Sequence, residues 1–198
     1  MGEKGTFIAT VRTPPENAMH ILVAYATRHG STAGIAERIG AALDASGHSA
    51  TVKPVHEVED LSHYDAVILG SAAYAFHWLR EATSFAKRHK AELSQRPIWL
   101  FSSGPLGEET VDEKGRPVLE AAEPKEFEKF ADVLNVRGDV VFFGAWDPAS
   151  PPVGVLERAM SHLPGDPRSA LPSGDFRHWD QVEAWAREIA KELTAEEV

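Results

Sequence analysis

The residues Thr27-Arg28-His29-Gly30-Ser31-Thr32 gather in one short stretch the groups that hold a phosphate. The hydroxyls of Thr27, Ser31 and Thr32 can donate to phosphate oxygens, Arg28 and His29 bring further donors, and Gly30 lets the backbone approach closely. An apolar run, Ile21 to Ala26, precedes this turn, and a helical pattern with Ile35, Ile39 and Leu43 spaced four apart follows it. Strand, polar turn and helix N-terminus in that order make an anion site, because first-turn amides lack intrahelical partners and the helix macrodipole places partial positive charge there. Serine and threonine are also good N-caps, so an ordinary capped turn competes with phosphate binding as a reading of these residues.

Two other stretches have the composition of ligand loops. Ala72-Ala73-Tyr74-Ala75-Phe76-His77-Trp78 is rich in aromatics, and Ser103-Gly104-Pro105-Leu106-Gly107 is a tight turn. Tyr74 and Trp78 also suit core packing, as does Trp146 further on. His56, Glu57, Glu59, Asp60 and His63 have metal-ligand chemistry, but their spacing fits no zinc pattern and reads as a solvated acidic loop. Gly30-Ser31-Thr32-Ala33-Gly34 lacks the central serine of a nucleophile elbow. The chain contains neither a Gly-x-Gly-x-x-Gly nor a Walker motif, so nothing signals nicotinamide or ATP binding.

Composition narrows the classes further. A formal net charge of −10 over 198 residues argues against nucleic acid or an anionic membrane as main partner. There is no cysteine, which excludes disulfides, thiolate catalysis and cysteine-ligated zinc or iron–sulfur sites. No apolar run reaches the roughly 18 residues of a membrane span, and Met1-Gly2-Glu3-Lys4 does not open a signal peptide, so a cytoplasmic location is expected.

The elements that must position these residues alternate. Residues 1–19 read as an N-terminal extension broken off by Pro14-Pro15, with Phe7, Ile8 and Val11 either packing on the body or lying in a tail; residues 20–198 read as one domain. Strands are expected at His20–Ala26, Ala50–Val55, Tyr64–Ser71, Pro97–Ser102 and Asp139–Gly144. Helices are expected at Ser31–Ser46, from Leu79 to Leu93, at Pro124–Leu134, at Val153–Leu163 and from Trp179 onward, where Val182, Ala186, Ile189 and Leu193 form a core-facing stripe. The strands are continuous apolar runs, the pattern of a parallel sheet covered on both faces. Five of them fit a doubly wound α/β fold of order 2-1-3-4-5, with helices on both faces. The loops after the first, third and fourth strands, 27–32, 71–78 and 102–107, then converge on one crevice. Hydroxyl-rich turns beside an aromatic loop suit a flat, phosphate-bearing cofactor.

These residues resemble the flavodoxin family, whose first strand is followed by a (Ser/Thr)-x-Thr-Gly-x-Thr turn; here the turn has His29 at one hydroxyl position. The flavodoxin-type, menaquinone-dependent protoporphyrinogen oxidases look closer. Their Thr-Arg-x-Gly-x-Thr turn is matched by Thr27, Arg28, Gly30 and Thr32, and their Gly-Ser-x-x-Tyr-x-x-His loop by Gly70, Ser71, Tyr74 and His77. The last helix, from Trp179, is similar to theirs as well. The resemblance implies FMN as cofactor, its phosphate held by Thr27, Arg28, His29, Gly30, Ser31 and Thr32. It implies a ring site at Ser71, Ala72, Ala73, Tyr74 and the turn Ser103, Gly104, Pro105, Leu106, Gly107. It further implies an oxidoreductase acting on a small-molecule or quinone substrate, with His77 as proton handler. Glu108, Glu109, Asp112 and Glu113 read as a solvated loop or as a lid or docking patch beside the flavin. Two other readings stay open: an electron carrier between partner proteins, and a flavodoxin-like module without FMN.

Overall fold

In the computed structural model the described residues are 18–154, 158 and 171–195. The expected N-terminal packing of Phe7, Ile8 and Val11 and most of the expected helix Val153–Leu163 lie outside them.

The chain runs β1 His20–Ala26, α1 Ser31–Ala45, β2 Ser49–Pro54, a 3-10 turn Val55–Glu57, β3 Ala66–Tyr74, β4 His77–Trp78, α2 Arg80–Arg88 and α3 Lys90–Leu93. It continues through β5 Ile98–Ser103, α4 Val118–Ala121, α5 Glu126–Ala131, β6 Val136–Phe142, β7 Ala145–Trp146, β8 Gly174–Asp175 and α6 Trp179–Ala195. The main sheet is parallel in the order β2-β1-β3-β5-β6, with β4 paired antiparallel to the end of β3. This is the expected doubly wound order; the hairpin strand β4 only changes the numbering.

Alternate side chains of each central strand feed opposite cores. Leu22, Ala24, Val67, Leu69 and Leu100 join α2 residues Ala82 and Phe85 and α5 residues Phe127 and Phe130. Ile21, Val23, Ile68, Trp99 and Phe101 join α1 residues Ile35, Ile39 and Leu43 and α6 residues Val182, Ala186, Ile189 and Leu193. Each large side chain buried this way contributes about 1.5–3 kcal/mol. That is why the strands read as unbroken apolar runs. The tightest approach is at Gly70 in β3, where a Cβ would lie 2.0 Å from the ring of Phe101 in β5.

The structure departs from the sequence reading at four places. The expected loop 72–78 is instead the end of β3 turning back into β4, with Ala73 opposite Trp78 and Tyr74 opposite His77. Its turn residues, Ala75 (φ 49°) and Phe76 (φ 64°), take the left-handed conformation that a two-residue hairpin demands, without the Gly or Asn that signals it. The expected helix Leu79–Leu93 is two helices broken at His89, whose backbone (φ −98°, ψ 19°) leaves the helical region; its stripe of Leu79, Ala82, Phe85, Ala86 and His89 is nonetheless buried. The last strand of the main sheet begins at Val136 and ends at Phe142, rather than spanning 139–144. It is an edge strand with exposed Arg137 and Asp139, and its register against β5 shifts at Ile98/Trp99, so its first half lacks an apolar run. Finally, the expected helix Pro124–Leu134 is confined to α5, and the separate α4 lies within the segment read as a loop.

Candidate functional site

The C-terminal ends of β1, β3 and β5 lie side by side, with Ala26 paired to Ser71 and Ala72 to Ser103. This brings the three predicted loops together. Gly30, at φ 83°, sits in the left-handed region and caps α1. Its N–H donates to Thr27 Oγ1 at 3.1 Å, which closes the turn on itself. The first intrahelical bond is from Gly34 N–H to Gly30 C=O, so the amides of Ser31, Thr32 and Ala33 have no acceptor within the helix. No acidic side chain occupies the first turn.

Three hydroxyls knit this turn to the end of β5. Ser31 Oγ lies 3.3 Å from Ser103 Oγ, and Thr32 Oγ1 donates to Ser103 Oγ at 3.4 Å. Ser31 Oγ also accepts the Ala145 N–H at 2.9 Å. Thr32 and Ser103 are buried, so their hydroxyls are fixed in place.

Above these groups opens a cleft of about 390 Å³, within the usual range of ligand pockets. The turn contributes Thr27, Arg28, His29, Ser31 and Thr32 to its lining. The end of β3 contributes Ala72, Ala73 and Tyr74, and the turn after β5 contributes Ser103, Gly104 and Leu106. Its floor is therefore hydroxyl-rich at one end and apolar at the other. The guanidinium of Arg28 lies 4.9 Å over the ring of Tyr74, a cation–π contact across the cleft mouth.

Five predicted site residues fall outside this lining. Gly30 borders the adjoining cleft instead. Ser71 is fully buried; its Oγ donates to Ala72 C=O and accepts Leu79 N–H, so it packs the strand end. The Pro105 carbonyl accepts the Gly144 N–H at 2.8 Å, and Gly107 turns the chain at φ 104°. His77, expected as the proton handler, does not line the cleft. It belongs to the return strand β4, where its Nδ1 lies 3.1 Å from the buried carboxylate of Glu126. Glu126 also accepts the Trp78 N–H at 3.0 Å. Burial opposes ionisation of Glu126, but its hydrogen bonds to Trp78 and His77 outweigh that and hold the carboxyl below the usual range.

Other groups at the site were not evident from sequence. Gly144, Ala145 and Leu171 complete the cleft wall. Trp146, which suits core packing, is 9% exposed but also lines the cleft and meets the His29 ring edge-on at 4.9 Å. Its indole N–H is buried without a hydrogen-bond acceptor among the described residues. Arg177 packs beside the start of α1, donating from Nη1 to Ser31 C=O at 3.3 Å and stacking 4.3 Å over Trp179. The hydrogen bond from Arg177 keeps the Asp175 carboxyl below its ordinary range. Nothing local marks Arg177, which lies far along the chain from the turn it supports.

The other acidic and histidine-bearing segments carry no site geometry among the described residues. Asp112 holds Arg116 through two guanidinium hydrogen bonds of 2.9 and 2.7 Å, folding the 108–117 loop on itself. His56 makes a 3.7 Å contact with its neighbour Glu57, and both are exposed. Among the described residues no group of His, Asp and Glu is arranged to hold a metal, and no helix is long and apolar enough to cross a membrane.

A family model described as a flavodoxin domain matches residues 22–142. No curated protein matches the chain. Among solved structures, a flavodoxin from the domain Archaea superposes with a TM-score of 0.54 at 18% identity, over 89% of this chain and 99% of that one. A flavodoxin of Pseudomonas aeruginosa, solved as a point mutant, gives 0.55 at 12% identity, again over 89% and 99%. Rubredoxin:oxygen oxidoreductase from Desulfovibrio gigas gives 0.54 at 15% identity, over 91% of this chain but only 37% of that longer one.

Proposed function

Since the chain belongs to the flavodoxin domain family, we propose that it is a redox protein that binds the FMN unit of a flavin in the cleft between the 27–32 turn and the ends of β3 and β5. The observation that carries this reading is the two-ended cleft. At one end the Ser31, Thr32 and Ala33 amides and the turn hydroxyls fit a phosphate dianion. At the other, Ala72, Ala73, Tyr74 and Leu106 offer apolar and aromatic walls for a flat ring. The residues present fit the group: a Cβ on Gly30 would meet none of the described residues within 4 Å, so the approach to the helix N-terminus is open.

A bound flavin supplies the electron-transfer chemistry. The chain's own residues bind and orient. Thr27 shapes the turn through its bond to Gly30, Ser31 and Ser103 fix the floor, and Tyr74 would offer an aromatic wall to the ring. The Glu126 carboxylate holds the hairpin that carries Tyr74.

Within this reading, the Thr27-Arg28-x-Gly30-x-Thr32 and Gly70-Ser71-x-x-Tyr74-x-x-His77 patterns support an oxidoreductase of the flavodoxin-type protoporphyrinogen oxidase kind, passing electrons from a small-molecule reductant to a quinone. A carrier between proteins is the second reading. It is favoured by the aromatic hairpin at the cleft mouth, where Tyr74 is 43% and Phe76 54% exposed. Turnover of a porphyrinogen with a quinone by the flavin-loaded protein alone supports the oxidase. Reduction and reoxidation only through added redox proteins supports the carrier.

A further inference from the structure

The Glu126 carboxylate does more than hold a hairpin: it orients His77. The His77 Nδ1 lies 3.1 Å from Glu126 Oε1, and Glu126 is 7% exposed. The carboxyl is held below its usual range, so at neutral pH it is ionised and can only accept. Nδ1 therefore carries the hydrogen and donates it. That fixes the tautomer and leaves Nε2 as the basic nitrogen. Nε2 makes no hydrogen bond among the described residues, and the His77 side chain is 50% exposed. A carboxylate on Nδ1 with an open Nε2 is the arrangement that prepares an imidazole to take up a proton.

The pair stands beside the ring end of the cleft. His77 and Tyr74 are directly opposite in the β3–β4 hairpin, so their side chains are neighbours on one face. Tyr74 lines the cleft. A flavin ring against Tyr74 is then one side chain away from the imidazole. Among the described residues the cleft lining holds no carboxylate, and besides Arg28 its titratable groups are His29 and Tyr74. His29 belongs to the phosphate turn, where it meets Trp146 edge-on. His77 is thus the imidazole beside the ring wall. The other charges facing the pair are Lys129, 3.8 Å from Glu126 Oε1, and Arg28, whose guanidinium lies over the Tyr74 ring. An electron pair entering a flavin brings negative charge against an apolar wall, where charges interact more strongly than in water. A cation formed beside that wall favours reduction, and reduction favours the cation by the same factor.

We propose that His77, oriented by Glu126, is the proton-accepting group of the flavin site. When the ring gains an electron pair, Nε2 takes a proton from water; when the ring gives the pair up, the proton returns to water. The electrons come from and leave to the redox partners, and no bond to the flavin is made or broken by His77. Glu126 acts through His77 as a positioning residue. The proposal rests on the reading that a flavin occupies the cleft. Its test is the reduction potential of the FMN-loaded full chain, titrated with dithionite against reference dyes from about pH 5 to pH 8, the range in which histidine titrates. His77→Gln keeps an N–H for Glu126 but cannot take up a proton. On going from the alkaline to the acid end, the affinity ratio of reduced over oxidised FMN should rise about tenfold more in wild type than in His77→Gln, or about 30 mV for a two-electron couple. In Glu126→Gln that extra rise should be centred at lower pH, because the imidazolium has lost its counter-charge. Histidine ring resonances give an independent reading: the His77 titration, assigned by its absence from His77→Gln, should move up by about one pH unit when the flavin is reduced, the same tenfold factor. Equal pH dependence in wild type and His77→Gln, or a His77 titration that is the same in both redox states, overturns the proposal and leaves the flavin reading standing. An unmoved centre in Glu126→Gln overturns the positioning role. A chain that takes up no FMN overturns both readings.

Discussion

Glu126 is the residue whose replacement tests most sharply how the cleft is held. It starts α5, is 7% exposed, and accepts hydrogen bonds from Trp78 N–H at 3.0 Å and from His77 Nδ1 at 3.1 Å. Lys129 Nζ stands 3.8 Å away. His77 and Trp78 are the cross-strand partners of Tyr74 and Ala73, so the carboxylate pins the return strand directly behind the ring wall. In Glu126→Gln the side chain keeps its shape and an acceptor oxygen but loses its charge. Hydrogen bonds to charged groups contribute about 1.5–3 kcal/mol and neutral ones about 0.5–1.5. One bond is downgraded in this way and the other is lost, because the amide nitrogen that replaces the second oxygen cannot accept; together they predict a loss of at least about 2 kcal/mol, or at least about 4–8 °C in Tm for a chain of this size. The sign with pH follows from the depressed carboxyl. A group whose folded pKa lies below its unfolded value stabilises above the unfolded pKa, and that stabilisation is lost as pH falls through the folded pKa. Denaturant titrations of wild type and Glu126→Gln should therefore differ by at least about 2 kcal/mol at neutral pH, and the gap should close in acid. A gap of the same size at every pH, or none at neutral pH, would refute the clamp. Flavin affinity measured in parallel should fall in the variant, because the wall formed by Ala73 and Tyr74 loosens.

Three further perturbations probe other parts of the account. Thr27→Asp retains an acceptor for the Gly30 N–H but adds a negative charge to the phosphate turn; repulsion of about 1–4 kcal/mol should cut flavin affinity roughly tenfold or more, and equal flavin content in wild type and variant, read by absorbance, would displace the phosphate from this turn. Tyr74→Ala removes an aromatic wall worth about 0.5–1.5 kcal/mol of contact, so flavin titration should show a two- to tenfold weaker Kd with Tm little changed; an unaltered Kd would mean the ring lies elsewhere. Gly70→Ala drives a methyl into the buried ring of Phe101, and overpacking of about 1–3 kcal/mol should lower the denaturation midpoint; an unshifted midpoint would contradict the close approach of β3 and β5.

How much of this was legible in the sequence follows from which forces act locally. The central strands were readable because both faces of a parallel sheet are buried, which leaves Ile21–Ala24, Val67–Leu69 and Ile98–Phe101 apolar at every position. Helices α1 and α6 were readable because each lays a single stripe on the sheet. The hairpin at Tyr74–His77 was not, because its turn uses Ala75 and Phe76 at positive φ where glycine or asparagine would have announced it. The first half of β6 was hidden by the exposed Arg137 and Asp139 of an edge strand. At the site, the 27–32 turn stood out through its own chemistry, whereas Ala145, Leu171 and Arg177 reach it only through tertiary structure. His77 carries the right chemistry, but the hairpin commits it to Glu126 outside the cleft lining, an outcome set by a partner far along the chain.

The central claim is that the cleft between the 27–32 turn and the ends of β3 and β5 binds a flavin. The most direct measurement is the visible absorption spectrum of the purified protein, before and after FMN is added and unbound ligand removed. The account predicts oxidised-flavin bands at one flavin per chain, with the flavin released on denaturation. A folded protein that stays colourless after the addition would contradict it.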